Sequence, residues 1–140
     1  MSRTRVIIGM LGLDQHEAGA IAVARMLRDA GMEVIYVGCF QTPDTLTRSI
    51  VQEDADVLGI SCHSWEYLHY LPELMARLRA EAVDTAVVVG GSVLTSADAR
   101  TLAALGVAAT FGSGAAPADI IATIGALGAR RADRLTEPLT

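Results

Sequence analysis

The chain has 140 residues, a formal net charge of −5, 51% hydrophobic residues and 4% aromatics. That length is one domain's worth, enough for a single aliphatic core and too short to add a second catalytic domain. The 11 basic residues are scattered, so there is no basic stripe for nucleic acid. No run approaches the ~18 apolar residues that span a bilayer, and the apolar run in "MSRTRVIIGM" is too short for a signal peptide. Cys39 and Cys62 form no CxxC pair, which places the chain in a reducing compartment, the cytoplasm.

Strand-like and helix-like segments alternate. "RVIIGM" (5–10) is a β-branched run, broken by the turn glycine Gly12 in "LGLD". Residues 17–30 place Ile21, Ala24, Met26, Leu27 and Ala30 at helical spacing and stop at Gly31, a natural closing glycine. "EVIYVG" (33–38) is a second strand, and 42–54 reads as a helix with Thr42 as cap and Pro43 at its first position. "DVLGIS" (56–61) is a third strand. It precedes an amphipathic stretch over about 65–82, with Leu68, Leu71, Leu74, Met75 and Leu78 on one side. "TAVVVGG" (85–91) is a fourth strand, and 96–106 is a helix with a serine cap. "VAATFGSG" (107–114) is a short fifth strand, and 116–127 is the last helix, with Pro117 near its start. The periodicity then lapses. The reading is one domain over residues 1–130 and a flexible tail over 131–140.

Strands apolar on both faces, each separated by a helix, define a parallel sheet covered on both sides. Right-handed crossovers and five βα units favour a flavodoxin-like, doubly wound α/β sheet of order 2-1-3-4-5. Ligands of such sheets bind outside the carboxyl ends of the strands. Those exits read "GLDQHEAG", "SCHSWEY", "GGSVLTS" and "FGSGAAP". Asp14 and His16 lie two apart at the first. A histidine so placed is either an ordinary surface-loop residue or an imidazole whose second nitrogen is held by a carboxylate, which fixes the tautomer and improves the other nitrogen as a ligand or base. One histidine and one carboxylate do not close a four-ligand zinc site, so a metal bound here would draw most of its ligands from elsewhere, such as a macrocycle.

"DQHEAG" (14–19) resembles the D-x-H-x-x-G motif of the cobalamin-binding domain of adenosylcobalamin-dependent mutases and methionine synthase. Ser61 stands where that family has the serine of S-x-L, Gly90 and Gly91 match its GG pair, and "GVAATFGSG" (106–114) is similar to its "GVxxxFGPG" segment. The Gly91–Gly106 spacing and Pro72 are most similar to acyl-CoA mutases of the methylmalonyl-CoA type. The resemblance covers residues 5–127. It implies a Rossmann-like cobalamin-binding domain in which His16 is the lower axial ligand of cobalt and Asp14 orients it. Ser61 and His63 would line a slot for the displaced nucleotide tail. Gly90, Gly91, Gly112 and Gly114 would let the tail approach backbone, and Gly19 would keep the first helix clear of it.

Two positions depart from the family. Met10 replaces a lysine that hydrogen-bonds the motif aspartate, which leaves the Asp14–His16 pair more basic or more mobile. His63 replaces the leucine of S-x-L, and either hydrogen-bonds the tail or faces solvent. Cys62 reads as a packed residue, Trp65 and Tyr67 as cover for an apolar patch or a partner contact, and His69 as surface.

The resemblance further implies the small subunit of a two-chain carbon-skeleton mutase that uses adenosylcobalamin. The substrate would be an acyl-CoA (methylmalonyl-, isobutyryl- or 2-hydroxyisobutyryl-CoA), and no catalytic residue would lie in this chain. A large TIM-barrel subunit would supply the substrate site, because 140 residues cannot form that barrel. The alternatives are a glutamate mutase small subunit and a stand-alone corrinoid carrier or sensor. A carrier usually has a helical bundle before this domain, whereas the first strand begins at residue 5; a sensor would need an output module. A response-regulator receiver needs an aspartate closing the third strand and a lysine after the fifth. The third strand ends in Ile60-Ser61 and the chain has no lysine.

Overall fold

The computed structural model describes residues 3–136. Five strands alternate with five helices: β1 (Arg5–Leu11), α1 (Glu17–Asp29), β2 (Glu33–Gln41), α2 (Pro43–Glu53), β3 (Val57–Ser61), α3 (Glu66–Ala80), β4 (Ala86–Gly90), α4 (Ser96–Ala104), β5 (Ala109–Phe111) and α5 (Pro117–Thr136). All four strand pairings are parallel, and the order is β2-β1-β3-β4-β5. The expected doubly wound sheet is the observed one.

The sheet divides the core. Ile7, Leu58, Ile60, Val87 and Val89 face Leu46, Ile50, Leu71, Leu74, Leu78 and Leu102 of α2, α3 and α4. Val6, Ile8, Met10, Val57 and Val88 face Ala20, Ala24, Leu27 and Ile124 of α1 and α5. The inner strands therefore read as unbroken apolar runs, because both faces are buried. On α1 the buried stripe is Ala20, Ala24 and Leu27. Ile21 and Ala30, expected on that stripe, lie on the exposed side.

Caps explain most helix boundaries. Thr42 accepts from the Thr45 amide in a capping box ahead of Pro43, as expected. The cap of α4 is Thr95, boxed with Asp98, rather than Ser96. Helix α1 has no side-chain cap: His16 occupies the cap position with its ring turned to Asp14.

Two ends differ from the sequence reading. Strand β2 runs on to Gln41 through register shifts against β1, with Gly38 and Phe40 both at positive φ. Helix α5 continues to Thr136, and Arg131, expected in a flexible tail, is buried. The polar residue that broke the periodicity is held by three aspartates on the loops before β3 and β4. Residues 137–140 of the expected tail lie outside the described residues.

Candidate functional site

The β1–α1 turn begins at Gly12, whose amide donates to the Gln41 carbonyl at 2.9 Å. Its φ is +65°, which favours glycine, and a Cβ there would also push the flexible Glu66 carboxylate aside. The turn delivers Asp14, 4% exposed, to the end of the sheet.

Asp14 is the hub of the site. Its Oδ1 accepts from the His16 ring Nδ1 at 2.8 Å and from the His16 amide at 3.2 Å. Its Oδ2 accepts from the His63 amide at 2.7 Å. Burial pushes the Asp14 carboxyl up, but the hydrogen bonds from the His63 amide and from the His16 ring and amide outweigh it. The net shift is below the ordinary carboxylate value, so the group is an anion that holds Nδ1–H and leaves Nε2 of His16 as a lone-pair donor. The His16 side chain is 67% exposed. A buried carboxylate thus aims an exposed imidazole.

Met10, at the position where the resembled family has lysine, is fully buried among Val6, Ile8, Ala20 and Leu27 and forms no part of this network. The backbone N–H of His63 donates to the other oxygen of Asp14.

Beside His16 a cleft of about 210 Å³ opens between the sheet and helices α1 and α5. Whole-ligand pockets occupy roughly 300–1,000 Å³, so this one suits an arm of a larger molecule. Of the residues singled out in the sequence, Gly19, Ser61, His63, Gly90, Gly91 and Gly112 line it, and Gly114 does not. Sequence reading missed Ile8, Ala20, Val23, Gly59, Ile60, Val88, Phe111, Ser113, Ala115, Ile120 and Ile124 in the lining. Gly59 was open to detection, since a glycine inside a strand marks a close approach. Here a Cβ would lie 2.6 Å from Ile8 Cδ1.

The glycines divide by cause. A Cβ on Gly91 would overlap the Cys62 carbonyl, so the chain's own backbone demands that glycine. The expectation that it serves a ligand is therefore secondary. At Gly112 and Gly114 an added Cβ would meet nothing within 4 Å, so the protein's packing leaves both positions free.

His63 bridges the cleft mouth. Its Nδ1 lies 2.9 Å from Ser92 Oγ, its Nε2 3.4 Å from Ser61 Oγ, and its ring centroid 5.8 Å from that of His16. Of the two expectations for this residue, the ring faces the cleft. Cys62 is buried, and burial pushes its thiol up to about 12, which makes it a packed residue and a poor nucleophile. Tyr67 is core and Trp65 is 60% exposed.

A doubly wound sheet with a carboxylate-oriented histidine at its ligand edge and a glycine-lined slot beside it is a cofactor-binding module. The chain belongs to the B12-binding domain family, whose model matches residues 4–122. It is 41% identical over 134 residues to the pivalyl-CoA mutase small subunit of Xanthobacter autotrophicus, covering 95% of this chain and 90% of that one. It is 38% identical over 130 residues to the 2-hydroxyisobutanoyl-CoA mutase small subunit of Aquincola tertiaricarbonis, covering 93% and 96%. A cobalamin-binding protein from Desulfitobacterium hafniense superposes with a TM-score of 0.77 at 19% identity, over 89% of this chain and 59% of that one. That likeness shows the fold.

Proposed function

We propose that this chain is the cobalamin-binding small subunit of a two-chain, adenosylcobalamin-dependent mutase acting on a short-chain acyl-CoA. The observation that carries the reading is the buried Asp14 carboxylate on Nδ1 of an exposed His16. Near-full-length similarity to two acyl-CoA mutase small subunits supports it and favours an acyl-CoA over glutamate.

The residues present fit the cofactor. Nε2 of His16 would hold the cofactor's cobalt, with Asp14 fixing the ring. The nucleotide tail would enter the cleft past Ser61 and Gly90, and at Gly112, which lines the same cleft, the protein's own packing leaves the space open. When bound, the cofactor supplies a weak cobalt–carbon bond whose homolysis starts radical chemistry, while the protein binds and orients it.

A large subunit would cover the same edge. Leu13, Phe40 and Trp65 are 71%, 58% and 60% exposed, and all three lie at carboxyl ends of strands. Their loops are tied together by the Gly12–Gln41 hydrogen bond and by the Leu13 amide donating to Glu66. Exposed apolar side chains grouped beside a ligand edge fit a protein partner. No described helix is long and apolar enough to cross a membrane, and Cys39 and Cys62 are both free thiols, in keeping with a cytoplasmic enzyme.

The test is a visible-absorption titration with hydroxocobalamin on wild type and His16→Ala, with electron paramagnetic resonance of the cob(II)alamin form. Nitrogen splitting in wild type that His16→Ala abolishes is expected. Binding whose splitting survives His16→Ala would overturn the assignment of the ligand.

A further inference from the structure

We infer that His63 anchors the nucleotide tail of cobalamin at the cleft mouth by donating from its ring Nε2. The inference rests on the proposed function and concerns a position where the resembled family carries leucine.

The cleft is almost wholly apolar. Among the described residues its polar lining side chains are Ser61, His63 and Ser113, with no Arg, Asp or Glu. The tail carries a phosphodiester anion and ribose oxygens, acceptors that lose water on entering an apolar slot. Acceptors so buried need a donor. Of the three polar side chains, His63 stands between the His16 ring and the slot.

The two ring nitrogens of His63 are bonded unequally. Nδ1 has a well-formed contact with Ser92 Oγ at 2.9 Å, whereas Nε2 reaches Ser61 Oγ only at 3.4 Å, longer than ordinary protein hydrogen bonds. If the Ser92 hydroxyl donates to Nδ1, the ring proton sits on Nε2. That nitrogen is 3.1 Å from where a Cβ on Gly19 would lie, so the ring extends across the mouth to α1, and the motif glycine leaves room for it. The Asp14 carboxylate fixes the backbone of His63 at 2.7 Å. One buried anion therefore positions both the cobalt ligand and the tail's donor.

The test compares hydroxocobalamin with diaquacobinamide, which lacks the nucleotide tail, on wild type, His63→Leu, His63→Gln and Ser92→Ala. His63→Leu is expected to weaken cobalamin binding about tenfold, the worth of one good hydrogen bond, and to leave cobinamide binding within about twofold. At saturating cobalamin its cob(II) form keeps the nitrogen splitting from His16. His63→Gln, which retains an N–H donor, recovers part of the loss. Ser92→Ala, which leaves His63 in place, lowers cobalamin affinity a few-fold without touching cobinamide, and decides the matter should the leucine variant fold poorly. Equal losses for both corrinoids, or no loss for cobalamin, would overturn the inference while leaving the proposed function standing. Wild-type protein that binds neither corrinoid overturns both.

Discussion

At the amino edge of the sheet Arg131 is closed in by Asp54, Asp56 and Asp84 at 2.6, 2.9 and 2.9 Å. At the carboxyl edge Asp14 bonds, among the described residues, only to the two histidines it orients. The amino edge is also tied by the Arg5 amide and guanidinium, which donate to Asp56 and to the Glu53 carbonyl. The carboxyl edge has exposed aromatics, a cleft and a strained Phe40 at φ +62°. Its loop also buries Ser64 Oγ, which has no partner among the described residues. Charge pairs gather at one end around a hollow of about 310 Å³ lined by Arg5, Asp54, Asp56 and Arg131, while the other end presents an apolar cleft and exposed aromatics. The ion pairs are concentrated at the amino edge and the unpartnered Ser64 hydroxyl lies at the carboxyl edge, while positive-φ residues occur at both, Asp54 at one and Phe40 at the other.

The sharpest way to break this contrast is Gly91→Ala. Its Cβ would meet the Cys62 carbonyl, backbone against backbone, so we expect a loss above about 4 kcal/mol, in the exceptional range for a point change. Chemical denaturation measures it. The counterpart Gly112→Ala meets no atom within 4 Å; stability within about 0.5 kcal/mol of wild type is expected, with weakened cobalamin binding. If both glycines prove structurally inert, the division between packing glycines and ligand glycines fails.

Arg131→Met comes next. It leaves three aspartates facing one another around a buried position, and about 2–3 kcal/mol is expected, reduced from the cost of a fully buried pair because Asp54 and Asp84 are well exposed. Cofactor affinity should not change, since the cleft opens at the other edge.

Asp14→Asn should cost about 1–3 kcal/mol, because an amide has one accepting oxygen where the carboxylate has two, so either the His63 amide or the His16 donors lose their acceptor. The pH dependence follows from the lowered Asp14 carboxyl. A group whose folded value lies below its unfolded one adds stability above the unfolded value, near 3.8. That contribution disappears as pH falls through the folded value. Thermal melts between about pH 5 and pH 2 should show this loss in wild type and less of it in Asp14→Asn.

A small structural effect is expected for His16→Ala as well. The ring is two-thirds exposed, so melting should move by the equivalent of less than about 1 kcal/mol even as nitrogen ligation of cobalt disappears.

Short windows of the sequence determined the elements, their order and the heart of the site. The apolar runs at 5–10, 56–61 and 85–91 had to be strands buried on both faces. Asp14 and His16 are two residues apart, so their pairing is local and legible in "DQHEAG". Tertiary structure alone decided what lies across the crossovers. The His63 amide reaches Asp14 from 49 residues away, Cys62 covers Gly91 from the next strand exit, and Arg131 meets aspartates 47 to 77 residues earlier. No periodicity encodes such meetings. Each depends on parallel strands stacking their ends at one edge, so that loops distant in sequence become neighbours only once the sheet has formed.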